Sequence, residues 1–270
     1  MKVKEILCRS ILNKCGIEGI DYSLNPYIGC EHGCIYCYAR YMGRYAGHEE
    51  EWGTFVDVKI NAPSMLSREL KKKSRGLVLL STVTDPYQPL EEKYRITRRC
   101  LERLLLYRFP VTIMTKSSLV LRDFDLLRRF ESCELGMTII TDREELRSFL
   151  EPNSSSVDDR LDALERFSEA GISTYAFIGP VIPGLTDGEK DLKRLMGKLV
   201  ERGVRRVLID RLNLRYGVLQ NLTRHIELKF PNLIDKFQSR VKAYNEYCRE
   251  MKKLLSRIAK DSGLDYEFCF

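Results

Sequence analysis

NPYIGCEHGCIYCYARYM, residues 25–42, sets three cysteines and four tyrosines in eighteen positions. A structural zinc site usually takes four ligands in tetrahedral array, commonly as two separated pairs. Here Cys30-x3-Cys34-x2-Cys37 offers three from one loop. That spacing lets a single loop wrap three corners of a [4Fe–4S] cluster with thiolates and leaves the fourth iron without a protein ligand from the motif. An iron left open in this way can bind substrate or cofactor. Gly29 and Gly33 flank the ligands and permit the tight turns that converging sulfurs require. The competing reading is a zinc knuckle completed by His32 or His48, which would make the chain a zinc-stabilised nucleic-acid binding module.

The rest of the chain narrows the class. With 270 residues, 44% hydrophobic and 31% charged, it suits one large α/β unit with a substantial core. No apolar run approaches the ~20 residues of a membrane helix, and the amino terminus has no secretory pattern, so no membrane partner is expected and the compartment is read as cytoplasmic. Nine cysteines would remain thiols there unless a metal uses them. Cys8, Cys15, Cys100, Cys133, Cys248 and Cys269 are scattered and read as small apolar groups or, for Cys269, a tail thiol. A net charge of +7 favours contact with an anion without naming one.

Short apolar runs recur at 76–81, 111–115, 135–140, 172–178 and 204–209, nearly continuous as strands covered on both faces are. Amphipathic stretches at 97–107, 123–130, 156–170 and 188–201 separate them. With a first strand at about Leu24 to Ile28, six βα units result, fewer than the eight that close a barrel. The expected fold is a partial, open (β/α)6 TIM-like barrel over residues 1–215. A helical extension over 216–270 packs on it, with one long helix from about Pro231 to Asp261. Chemistry in such sheets gathers at the carboxyl ends of the strands.

The cysteine loop, with Tyr36 before its last cysteine, resembles the signature of the radical S-adenosylmethionine (radical SAM) superfamily. Together with TDPYQPLEEKYRITRRCLE, TKSSLVLRDFDLL, ITDREELRSFLEP and PVIPGLTD, it resembles the branch related to spore photoproduct lyase, from about Asn25 to Arg215. The resemblance implies a [4Fe–4S] cluster on Cys30, Cys34 and Cys37, the catalytic residues. Its open iron would chelate S-adenosylmethionine, and one electron from a donor of flavodoxin or ferredoxin type would cleave the sulfonium. The resulting 5′-deoxyadenosyl radical would abstract hydrogen from a substrate.

A zwitterionic amino acid, a ribose and an adenine need a cation, hydroxyls and an apolar slot. Lys116, followed by Ser117, ends the third strand; because family members carry a Thr-Lys-Ser-like element there, it is read as facing the methionyl carboxylate. Thr138, Thr141 and Asp142 follow the fourth strand toward the ribose or methionyl group, and Arg160 approaches from the next helix. Surface salt bridging is the competing role for Asp142 and Arg160. GPVIPGLTD, residues 179–187, resembles the superfamily's adenine loop, with Val181 and Ile182 as contacts, or else is a two-proline turn. Tyr36 and the last strand's Leu212 and Asn213 complete the purine site. Asp85, Tyr87 and Gln88 are read as substrate-side groups facing the cavity, and Tyr38 and Tyr41 as packing beside the cluster.

Spore photoproduct lyase returns a hydrogen atom from a cysteine on the loop after its second strand. Here LLSTVTDPYQ has Thr82 near that place and no thiol, so direct thymine-dimer reversal is not expected. The basic balance and lyase-like loops point to a base in DNA or RNA as substrate; the alternative is a peptide or small metabolite.

Overall fold

Apolar runs rich in β-branched residues favour extended chain when both faces are covered. The computed structural model, which describes residues 1–270, folds them into eleven strands. In chain order these are β1 (Lys2–Ile6), β2 (Leu12–Lys14), β3 (Tyr22–Leu24), β4 (Tyr27–Gly29), β5 (Phe55–Lys59), β6 (Val78–Leu80), β7 (Val111–Thr115), β8 (Cys133–Thr138), β9 (Ser173–Val181), β10 (Arg206–Arg211) and β11 (Asp265–Phe268). The main sheet runs β11-β10-β9-β8-β7-β6-β3-β2. Every neighbouring pair in it is parallel except β2–β3. It does not close on itself, so the fold is a partial, open barrel.

The expected first strand is split. Tyr22–Leu24 joins the main sheet, whereas Tyr27–Gly29 pairs antiparallel with β5 in a small sheet of order β1-β5-β4. Pro26 stands between them; it has no N–H for a ladder and is poorly tolerated inside a central strand. The cysteine loop therefore starts from its own short strand, braced by β5.

Helices cover the convex face as their periodicity predicts. Val157–Glu169 starts where Ser156 Oγ accepts from the Asp159 N–H and buries Leu161, Leu164 and Phe167. Glu189–Glu201 buries Leu192, Leu195, Met196 and Leu199. These side chains join a core of 47 buried residues, each large aliphatic group contributing about 1.5–3 kcal/mol when fully buried. The tail differs from the single long helix expected. Its helices are Val218–Lys229, Ile234–Lys242 and Tyr244–Asp261; Ala243, at φ −101° and ψ 37°, breaks the last two apart. Beyond them Asp265–Phe268, polar and aromatic in strict alternation, adds β11 to the sheet edge.

Register assigns the side chains to faces. Val111, Ile113, Leu135, Met137, Ala176, Ile178, Val207 and Ile209 belong to the main core under the helices. The alternate set points into the concave side: Met114, Gly136 and Tyr175 lower down, then Lys116, Thr138, Phe177 and Asp210 toward the carboxyl ends. Tyr175 closes the lower part by lying across Gly136, where a Cβ would come within 2.1 Å of its ring. Gly136→Ala should accordingly destabilise the protein by roughly 2–4 kcal/mol in urea unfolding; an unchanged midpoint would show that the ring moves freely.

Candidate functional site

Gly29 ends β4 at φ +86°, and a Cβ there would lie 2.3 Å from the Phe55 carbonyl oxygen, so the entry to the cysteine loop requires glycine. Long-range hydrogen bonds then hold the loop. Thr84 Oγ1 donates to the Gly29 carbonyl at 2.6 Å, and the Glu31 N–H donates to Gln88 Oε1 at 2.9 Å. The Ile35 N–H donates to the Leu150 carbonyl at 3.0 Å, and Asn221 Nδ2 reaches the Ile35 carbonyl at 2.7 Å from the tail. Cys30 and Cys34 are buried and Cys37 half-buried, all three as free thiols.

Burial pushes each of these thiols up; at Cys30, Asp85 and the two other cysteines add to the effect. At Cys34 and Cys37 the Lys116 ammonium pulls the other way. A set of three soft ligands whose ionised forms need positive charge close by fits an iron–sulfur cluster. His48 is not free to complete a zinc knuckle. It is held on both ring nitrogens, by Glu50 at 3.1 Å and Asp57 at 3.0 Å, while His32 Nδ1 lies 3.4 Å from Asp85.

Lys116 reaches over the cysteines from the end of β7, its Nζ 6.0 Å from the Tyr36 ring centre. Burial alone would lower its pKa, but Cys34, Glu151, Asp85 and Cys37 outweigh it and hold the amine cationic. No protein oxygen accepts from that ammonium. Beneath it, Tyr36 donates its hydroxyl to Glu151, whose other oxygen pairs with Arg160 at 2.6 Å. Arg160 also donates to the Thr138 carbonyl at 2.8 Å and the Ser155 carbonyl at 3.0 Å. Cys34, Tyr36, Ile182 and Leu212 meet in a second apolar cluster of 13 buried residues.

Several expected site residues are occupied elsewhere. Asp85, Tyr87 and Gln88 are buried and bonded within the fold. Asp85 accepts from Thr115 Oγ1 at 2.6 Å and from the Lys116 and Tyr87 amides at 2.9 Å, tying the loop after β6 to the end of β7. The Tyr87 hydroxyl lies 3.1 Å from Asp123, and Gln88 holds the cysteine loop and Thr84. Ser117 Oγ caps the next turn by accepting from the Leu119 N–H, and Thr141 Oγ1 accepts from the Arg143 N–H. Asp142 pairs with Arg194 and, at 3.6 Å, with Lys198; the salt-bridge role holds for it, and Arg160 is likewise spent on protein groups. Val181 lies in the main core. Asn213 is exposed, its Oδ1 engaged by the Arg215 N–H. The residues that do converge are Cys34, Cys37, Tyr36, Lys116 and Thr138, with Ile182 and Leu212 alongside.

Two residues outside the expected set complete the site. Glu151 lies within ITDREELRSFLEP, where its acidity alone does not show that it turns inward. Asp210, next to last in β10, lies opposite Gly179 and Pro180, where β9 gains an extra residue. One of its oxygens accepts the Arg211 N–H at 2.8 Å and no cation pairs with it. Burial pushes its carboxyl up to about 6, Arg211 pulling weakly the other way. Cys269, whose N–H donates to the Ile209 carbonyl at 2.9 Å, lies beside it.

A raised carboxyl pKa means that stability from neutral Asp210 is complete below its unfolded value near 3.8 and is lost as pH rises toward about 6. Asp210→Asn should therefore gain stability over the natural protein between pH 4 and 7, by roughly 1–3 kcal/mol. Denaturant unfolding across that range checks it; a pH-independent difference would show that the carboxylate is not penalised.

Comparison with known proteins places this geometry. The family model of the radical SAM superfamily matches residues 24–196. The uncharacterized protein MJ0683 of Methanocaldococcus jannaschii is 40% identical over 189 residues, 70% of this chain and 71% of that protein. A "Radical SAM Nalpha-GlyT isomerase" of Pseudomonas phage M6 is 23% identical over 264 residues, 91% of this chain and 52% of the phage protein. Among solved structures, spore photoproduct lyase complexed with dinucleoside spore photoproduct superposes with a TM-score of 0.72 at 15% identity, covering 98% of this chain and 82% of that one.

Proposed function

This chain belongs to the radical SAM superfamily, and we propose that it abstracts a hydrogen atom from a base of DNA or RNA in order to modify it. Its cofactors are a [4Fe–4S] cluster and S-adenosylmethionine, as in the superfamily, and an electron donor must reduce the cluster. The observation that carries the reading is the unpartnered Lys116 ammonium beside the cysteine thiols, at the carboxyl ends of an open parallel sheet.

When bound, the cluster and S-adenosylmethionine together supply one electron and a 5′-deoxyadenosyl radical that takes hydrogen from the substrate. The protein's part is to bind, orient and exclude water. Cys30, Cys34 and Cys37 hold the cluster. Lys116 offers its ammonium to the cofactor carboxylate, Tyr36, Ile182 and Leu212 provide the apolar wall for its purine, and Thr138 lines the floor. Glu151 and Arg160 are positioning residues that fix Tyr36. Phe177 and, two residues beyond its partner Leu208, Asp210 form the substrate side on neighbouring strands.

Support for a nucleic-acid base comes from the net charge of +7 and from a neighbour solved with a dinucleoside. No helix is long and apolar enough to cross a membrane, and the cytoplasm is the compartment proposed.

Cys34→Ala should abolish 5′-deoxyadenosine formation and reduce iron loading below four per chain while leaving the circular dichroism unchanged; undiminished formation would remove the cysteine loop from the site. Lys116→Ala should weaken S-adenosylmethionine binding about tenfold or more by calorimetry, and an unaltered Kd would exclude the carboxylate contact. For the substrate, reduced holoprotein is incubated with base-deuterated DNA and RNA. Deuterium should appear in 5′-deoxyadenosine, and its absence with both polymers would overturn the nucleic-acid reading.

A further inference from the structure

Beside the cysteine loop, outside the concave site, three tyrosines from two distant segments meet. Tyr41 and Tyr45 lie on the short helix Tyr41–Tyr45, and Tyr216 on the loop after β10. The Tyr41 ring is 5.7 Å from Tyr45, edge-on, and 4.7 Å from Tyr216. Tyr45 is 83% exposed and Tyr216 51%, so folding does not account for them: rings used for packing are covered. Backbone conformation sharpens the point. Tyr216 stands at φ +59° and is followed by Gly217 at φ +77°. The left-handed region is costly for a bulky side chain, yet a tyrosine is kept there rather than a second glycine.

Exposed Arg44 and Arg215 flank the rings in sequence, and neither guanidinium pairs with a carboxylate. Uncovered aromatic faces with unpaired arginines next to them in the chain match one ligand chemistry: bases with free π-faces joined by phosphates. A duplex keeps its bases stacked inside and cannot offer them.

We propose that Tyr41, Tyr45 and Tyr216, with Arg44 and Arg215, form a stacking platform for an unpaired nucleic-acid strand at the mouth of the site. The platform rests on the nucleic-acid reading above and adds to it the single-stranded form of the substrate and the place where its flanking nucleotides lie. Stacking of this kind is tolerant of sequence, and the arginines make it sensitive to salt.

The test uses reconstituted holoprotein and fluorescein-labelled 12-nucleotide oligo(dT) and oligo(rA), single-stranded and as duplexes, read by anisotropy. Single strands should bind more tightly than duplexes. Tyr45→Ala and Tyr216→Ala should each weaken single-strand binding about tenfold, with Phe at either position restoring it, and Arg44→Gln with Arg215→Gln should flatten the salt dependence. Equal affinity for duplex and single strand, or unaltered affinity in both alanine variants, would overturn the platform. So would slower reduction by a flavodoxin in these variants with oligonucleotide affinity unchanged, since the rim would then dock an acidic protein. Deuterium transfer separates the two readings. Transfer that persists undiminished in the alanine variants defeats the platform alone, whereas platform binding without transfer in any variant defeats the base as substrate.

Discussion

One ammonium governs the charge balance at the carboxyl ends of the strands. Three thiols in one loop, two buried and one half-buried, resist ionisation, and the only unpartnered cation among them is Lys116. Burial alone would lower its pKa, but Cys34, Glu151, Asp85 and Cys37 outweigh that and keep the lysine charged. Each carboxylate in the group is secured in turn by several donors: Asp85 by Thr115 and two backbone amides, Glu151 by Tyr36 and Arg160. Buried charge of this kind is tolerable only when every partner is placed, and losing one strands the others. The loop's position is therefore coupled to β6, β7 and the segment after residue 150, elements far apart in sequence.

This coupling explains why so much polarity near the site is not aimed at a ligand. Asp85, Gln88, Arg160 and Asp142 are spent on holding the scaffold, which leaves Lys116, Thr138, Phe177 and Asp210 as the groups that face the concave side. The division is vertical. Below, Tyr175 across Gly136 and the Arg206–Glu134 pair close the floor. Above, the half-buried Phe177 and Asp210 stay accessible. A site built this way separates rigidity from chemistry.

What the sequence discloses follows from how local its signals are. Cysteine spacing, apolar runs and helix stripes act over a few residues, and they locate the loop, the parallel sheet and the helices that cover it. Whether Asp142 faces the site or the Arg194 guanidinium depends on register and on a helix some fifty residues away, which no local pattern encodes. Asp85 is the sharper instance: in TDPYQ its acidity suggests a ligand, but it serves three donors within the fold. β11 was hidden for a different reason, being four residues long after an eighteen-residue helix. Its alternation is legible once an edge at β10 is available to receive it.

An eight-strand barrel fills its interior with side chains; this sheet stops short of closure, with β2 and β11 as free edges. β11 is short and carries Asp265 and Glu267, charges that discourage a further strand from adding there. The concave face is thus kept open at a real cost, since Met114, Phe177 and Leu208 remain only half-buried. An opening at the side suits a substrate group that belongs to a polymer, because one residue can enter while the chain on either side stays outside, against whatever surface borders the mouth.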